Sequence, residues 1–231
     1  MHSHLKLPLS ILTQFLFLSL GSSRAGDLSG IVRAHGKELP VHSPSSGLYE
    51  SRKFKFVERV DYSHMEDFVV FIDQPMSVKP VPPKLPVEVI TQKDATFKPH
   101  VLPIVVGTTV RWPNHDEIYH NVFSFSEPKQ FDLGFYKSET NKVVTFDQHG
   151  QVDALCSIHT QMHCIILVME NSFYAVTDAR GGYTITNIPA GTYRFKAWHE
   201  RMPPEVKNVV IPETGKVVMN FDLGIKGLPT Y

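Results

Sequence analysis

Cys156, His159 and Met162 sit three residues apart in one short run, and they carry the most specific chemistry in the chain. A thiolate and a thioether are soft donors. Together with an imidazole they select copper over magnesium, calcium or manganese. The set lacks a second imidazole for the trigonal His2Cys plane with a long axial Met that suits copper electron transfer. His120 is the candidate for it: it lies in Asn114-His-Asp-Glu-Ile-Tyr-His120-Asn121-Val122, after a strand-like run ending at Trp112. One earlier strand end would then supply one ligand and a single loop the other three. Such a frame can hold a geometry that neither Cu(I) nor Cu(II) chooses freely, which limits rearrangement on redox change.

Two competitors follow Met162 directly, His163 and Cys164. Strand alternation points His163 to the opposite side from Met162, which leaves Met162 as the axial candidate. Cys164 opens the apolar run 164–168, where a buried, inert thiol is expected. His115 reads as a solvated loop residue, His149 lies in a Gln-His-Gly turn, and His199 ends a strand in a structural or exposed role.

The elements that must position these groups are strands. After Gly26 no apolar run recurs at helical spacing for the 11 or more residues a helix needs. Short β-rich runs occupy 68–72, 87–90, 101–106, 109–112, 143–146, 152–155 and 164–168. Turn signals separate them at Pro113-Asn114, His149-Gly150, Arg180-Gly181-Gly182, Pro189-Ala190-Gly191 and Glu213-Thr214-Gly215. The predicted fold class is all-β, built as sandwiches. Five prolines within 75–86 forbid a central strand and mark a boundary. The polar stretch 41–64 reads as a long surface loop.

Phe97-Lys-Pro99, Gly107-Thr-Thr-Val-Arg-Trp-Pro-Asn114, His120-Asn121-Val122, Val144-Thr-Phe-Asp147, Gly150 and Cys156-x2-His159-x2-Met162 together resemble a cupredoxin over about residues 84–170. The steps of three are most similar to amicyanin, since plastocyanin has a longer step to its methionine. The resemblance implies a Greek-key sandwich holding one type 1 copper ion through His120, Cys156, His159 and Met162. It also implies that Asn121 ties the two ligand loops together, with its backbone N–H near the cysteine sulfur, and that electrons pass through the exposed edge of His159. Thr160 and Gln161 stand where amicyanin-like loops commonly carry proline, which points to a more polar docking surface.

Beyond Met169, the hairpin signal at 178–182 and the Pro189-Ala-Gly-Thr-Tyr193 turn resemble a carboxypeptidase-regulatory, transthyretin-like β-sandwich. The expected opening of that sandwich lies far upstream, at 30–40 and 68–72. The expected organisation is a signal peptide at 1–25, a discontinuous regulatory-like sandwich from 27–75 plus 171–226, and a cupredoxin at 84–170 between its halves. Two sequential domains are the alternative. Periplasmic methylamine-utilisation-like cupredoxins are similar in this order.

Composition removes other classes. The 231 residues hold 23 Lys+Arg against 23 Asp+Glu. Without an excess of clustered cations, nucleic acid is not an expected partner. Two cysteines exclude a disulfide framework. Residues 1–25 have a basic start, an apolar middle and a Ser23-Arg24-Ala25 finish, the layout of a secretory signal. The apolar middle, about 14 residues broken by Pro8 and Gln14, is too short to span a bilayer. Cleavage leaves the chain two charges acidic, with no membrane span and an expected periplasmic location.

These readings converge on an exported, non-enzymatic carrier of single electrons whose redox partner docks near His159. Copper binding or delivery without electron transfer is the alternative, although the seven methionines do not cluster as in open copper carriers. A multicopper enzyme needs histidines flanking the cysteine, and Leu155 and Ser157 stand there instead.

Overall fold

The computed structural model describes residues 25–36, 62, 65–77, 88–138 and 142–224. The expected signal peptide up to Arg24, most of the 41–64 loop, residues 78–86 of the Pro-rich boundary and the first residue of the expected 87–90 run lie outside the described residues. The described chain is all-β.

The first strands in chain order are β1 (Ala25–His35), β2 (Val69–Ile72), β3 (Glu88–Val89), β4 (Thr91–Lys93), β5 (Thr96–Lys98) and β6 (Val101–Val105). Next come β7 (Thr108–Arg111), β8 (His120–Ser124), β9 (Phe131–Tyr136), β10 (Val143–Phe146), β11 (Gly150–Leu155) and β12 (His163–Met169). The last six are β13 (Tyr174–Val176), β14 (Gly182–Pro189), β15 (Gly191–His199), β16 (Met202–Ile211), β17 (Lys216–Val218) and β18 (Phe221–Gly224).

One sandwich packs the sheet β10-β7-β3 against β6-β12-β11-β8-β9. Its core includes Ile90, Phe97, Trp112, Val122, Phe146, Val152 and Ile166. β10 shows the half-buried alternation expected of an outer sheet: Val144 and Phe146 are buried while Val143 is exposed. A second sandwich pairs β13-β2-β15-β16 with β14-β1-β17, and β18 also pairs with β1. Its core draws Leu28, Val32, Phe68, Val70 and Ile72 together with Ile185, Phe195, Val209 and Phe221. β1 runs antiparallel to β14 and parallel to β17 and β18, so the start and end of the described chain close one sheet.

β12 explains why 164–168 is apolar without alternation. Cys164, Ile166 and Val168 face the first core. Ile165, Leu167 and Met169 face the opposite way, onto Val69, Phe71, Tyr174 and Trp198 of the second sandwich. A strand buried on both faces has no polar side to show. The predicted turn at Arg180-Gly181-Gly182 is a tight one, in which Asp178 Oδ1 accepts the N–H groups of Arg180 and Gly182, both at 2.8 Å. Gly181 has φ +77°, and a Cβ there would lie 2.2 Å from the Val32 carbonyl oxygen, so only glycine fits.

Candidate metal centre

His120 is the first residue of β8, and Cys156, His159 and Met162 lie in the loop between β11 and β12. β8 pairs with β11 through Leu155 and Phe123, which sets the start of one strand beside the end of the other. β11 and β12 pair as far as Leu155 and His163, so the seven residues 156–162 form a closed hairpin loop. The loop folds on itself: the Cys156 N–H donates to the Met162 carbonyl at 3.2 Å, and the Met162 N–H to the His159 carbonyl at 3.0 Å.

The structure brings His120, Cys156 and His159 together, with one donor atom from each lying within 4.8 Å of the others. His120 Nδ1 is 2.9 Å from His159 Nδ1, and Cys156 Sγ is 3.8 Å from the same His159 nitrogen. First-row ions take imidazole nitrogen at about 2.0–2.1 Å and thiolate at about 2.3 Å, so donors this close can share one ion. His120 and Cys156 are buried, while His159 is half-buried. The Met162 side chain is 1% exposed and belongs to the same core cluster as Cys156.

Asp116 controls the outer edge of His120. Its Oδ2 is 2.8 Å from His120 Nε2. An ionised carboxylate only accepts, so Nε2 carries the hydrogen and Nδ1 is left as the lone pair aimed at the donor cluster. Asp116 is itself clamped, because the Asp94 N–H donates to Oδ1 at 2.8 Å and the Ala95 N–H to Oδ2 at 3.0 Å. Asp94 and Ala95 form the tip of the β4–β5 hairpin, with φ of 54° and 49°. Burial pushes the Asp116 carboxyl up. The hydrogen bonds from Ala95, His120 and Asp94 outweigh burial and hold it below the ordinary range.

Behind the carboxylate stands a buried polar network. Asn114 Nδ2 donates to the carbonyls of Ile118 at 3.1 Å and Tyr136 at 3.0 Å, and its Oδ1 accepts the Asp116 N–H at 2.8 Å. Gln92 Nε2 donates to the Tyr136 hydroxyl at 2.6 Å and the Trp112 carbonyl at 3.1 Å. Tyr136 donates in turn to the Trp112 carbonyl at 2.9 Å, and burial pushes its hydroxyl up to about 12. The two ligand loops are tied through the Asn121 side chain: Oδ1 accepts the Ser157 N–H at 2.9 Å, and Nδ2 donates to Asp132 Oδ1 at 2.9 Å.

Sequence reasoning did not single out Asp116, Gln92 or Tyr136. The one signal for Asp116 was a carboxylate four residues before a candidate ligand. Of the remaining histidines, His115 is exposed and His149 is exposed beside Glu170. His199 is buried, takes the Arg201 N–H on Nδ1 at 3.1 Å and packs on Phe68. Cys164 is fully buried. Burial, then the charge of Asp153, push its thiol well above the ordinary range. Iodoacetamide at about pH 8.5, where a free thiol is half ionised, should therefore leave Cys164 unmodified in the folded protein and alkylate it after denaturation. Peptide mass mapping that finds native Cys164 modified would contradict its burial.

No protein-family profile matches the chain, and no curated protein does. Among solved structures, the chain is similar to a Cu-containing nitrite reductase from Thermus scotoductus SA-01, at 28% identity over 43% of this chain, with a TM-score of 0.35. It spans 26% of that enzyme's length. A purple cupredoxin from Nitrosopumilus maritimus is 24% identical over 36% of this chain and 99% of its own, with a TM-score of 0.32. A reduced amicyanin variant is 23% identical over 36% of this chain and 83% of its own, with a TM-score of 0.34.

Proposed function

We propose that this chain holds one copper ion at His120, Cys156 and His159, with Met162 as the axial ligand, and carries single electrons between redox partners. The observation that supports this most is the convergence of two imidazole nitrogens and one thiol sulfur from two separate loops. Copper bound to such donors supplies one-electron chemistry with little change of geometry. The chain's own groups do the rest. Asp116 fixes the tautomer and orientation of His120, while Asn121 and the closed 156–162 loop hold the thiol and the second imidazole against β8. The buried core around Met162 and Cys156 keeps water from the inner side.

His159 is the ligand residue that reaches solvent, and its ring edge is the shortest path to a partner. Ile118, Tyr119 and Ile158, near the ligands in sequence, are each about half exposed. A docking partner is therefore met by apolar side chains as well as by Thr160 and Gln161. Export through the N-terminal signal would place this traffic in the periplasm. Among the described residues no helix is long and apolar enough to cross a membrane.

The test is electron self-exchange on copper-loaded protein, with cyclic voltammetry beside it. A reversible one-electron wave and rapid exchange are expected of a carrier. Copper that binds but exchanges electrons slowly would assign the same ligands to storage or delivery instead.

A further inference from the structure

His100, His163 and Glu200 form a second cluster of donors, with one ligand atom from each lying within 4.8 Å of the others. We propose that it is a binding site for a divalent transition cation of the zinc class, and that the bound ion clips the two sandwiches together. None of the three residues belongs to the centre around Cys156.

The hydrogen bonds leave each imidazole with one nitrogen free of a hydrogen. His100 Nδ1 lies 3.1 Å from the His163 carbonyl oxygen, which can only accept, so Nδ1 carries a hydrogen. Nε2 then faces the Glu200 Oε1 at 3.1 Å, a contact that either a proton or a metal cation between the two atoms would satisfy. On the other ring, His163 Nε2 lies 3.1 Å from Asp153 Oδ1, which likewise takes its hydrogen and leaves Nδ1 bare. A ligating histidine whose far nitrogen donates to a carbonyl or a carboxylate is the usual outer support of a metal site. The rings stand edge to face with centroids 5.5 Å apart.

A proton on His100 would satisfy the Glu200 contact alone. The third donor, His163, is what favours a metal. Donors about 2 Å from a tetrahedral ion lie about 3.3 Å from one another, so the cluster needs only modest closure. Asp67, within electrostatic range of both His100 and Glu200, adds negative charge at the site. The residues are partly exposed, which leaves an entry path.

The donor set selects the ion. Two imidazoles and a carboxylate suit Zn2+ and similar divalent ions and offer nothing soft for Cu(I). The location gives the ion a role: His100 precedes β6 and His163 opens β12 in the first sandwich, while Glu200 lies in the turn between β15 and β16 of the second. The site therefore sits at one border of the apolar seam of Val69, Val101, Ile165 and Leu167.

The experiment titrates Zn2+ by calorimetry into the copper-loaded full chain, whose Cys156 centre is then filled, into Cys156→Ser, and into copper-loaded His100→Ala and Glu200→Gln variants, with zinc X-ray absorption on the copper-loaded wild type. Glu200 lies in an exposed turn, so Glu200→Gln keeps the test valid if His100→Ala disturbs folding. Expected are a zinc shell of nitrogen and oxygen only, binding retained in Cys156→Ser, and affinity reduced by more than about tenfold in Glu200→Gln and in folded His100→Ala. Zinc should also raise the Tm of the wild type more than that of Glu200→Gln. Sulfur in the zinc shell, loss of binding in Cys156→Ser, unchanged affinity in Glu200→Gln, or no zinc binding by the wild type would each overturn the proposal.

Discussion

Copper-loaded Cys156→Ser is expected to lose the intense visible thiolate-to-copper absorption completely, while Cys164→Ser keeps it. The two cysteines are eight residues apart and both buried, yet their surroundings differ. The Cys156 sulfur lies 3.8 Å from His159 Nδ1 and opens onto the donor cluster, whereas Cys164 faces the core with Ile166 and Val168. A serine oxygen at position 156 is a hard donor of nearly the same size, so the loop retains its shape and its Cys156-to-Met162 backbone bond. What is lost is the soft, polarisable sulfur that favours Cu(I). Affinity for Cu(I) should fall by more than about a hundredfold, beyond the 10–100-fold typical of removing an outer support. Far-UV circular dichroism should be unchanged. Absorption that survives in Cys156→Ser, or disappears in Cys164→Ser, would show that the assigned thiol is the wrong one.

Three of the site's donors were legible in the sequence. Cys156 and His159 could be read from spacing because a closed hairpin loop keeps neighbours in sequence as neighbours in space, and His120 from its place after a strand-like run and before an apolar one. The all-β class was legible for a related reason: runs such as 143–146 and 164–168 show by alternation, or by its absence, how many faces they bury. β9 was not, because Gly134 at φ +67° and the two successive exposed residues Gly134 and Phe135 break its alternation. The parallel pairing of β1 with β17 and β18 joins residues from opposite ends of the chain, and no local rule reports such a pairing. The same holds for His100, His163 and Glu200, which sheet packing rather than spacing brings together. Asp116 is an intermediate case, close to His120 in sequence, but given its role by two amides of the β4–β5 hairpin.

That dependence on a remote hairpin makes Asn114→Ala the substitution expected to cost most stability near the site. Asn114 is 1% exposed and makes three hydrogen bonds, donating to the Ile118 and Tyr136 carbonyls and accepting from the Asp116 N–H. Alanine removes all three at once. Each buried group left without a partner costs about 1–3 kcal/mol, so a total loss of roughly 3–5 kcal/mol is expected. The damage should also reach the metal: once the 114–118 turn is released, Asp116 no longer holds the Nε2 hydrogen of His120, and copper affinity should fall on the order of 10–100-fold. Asp116→Asn separates the two effects. It leaves the Asn114 bonds to Ile118 and Tyr136 in place, so it should cost less stability while disturbing copper binding to a similar extent. Urea denaturation with the slope held constant measures the first quantity, and competitive copper titration the second. If Asn114→Ala unfolds at the wild-type midpoint, the buried network does not support the turn; if Asp116→Asn binds copper as the wild type does, the carboxylate does not orient His120.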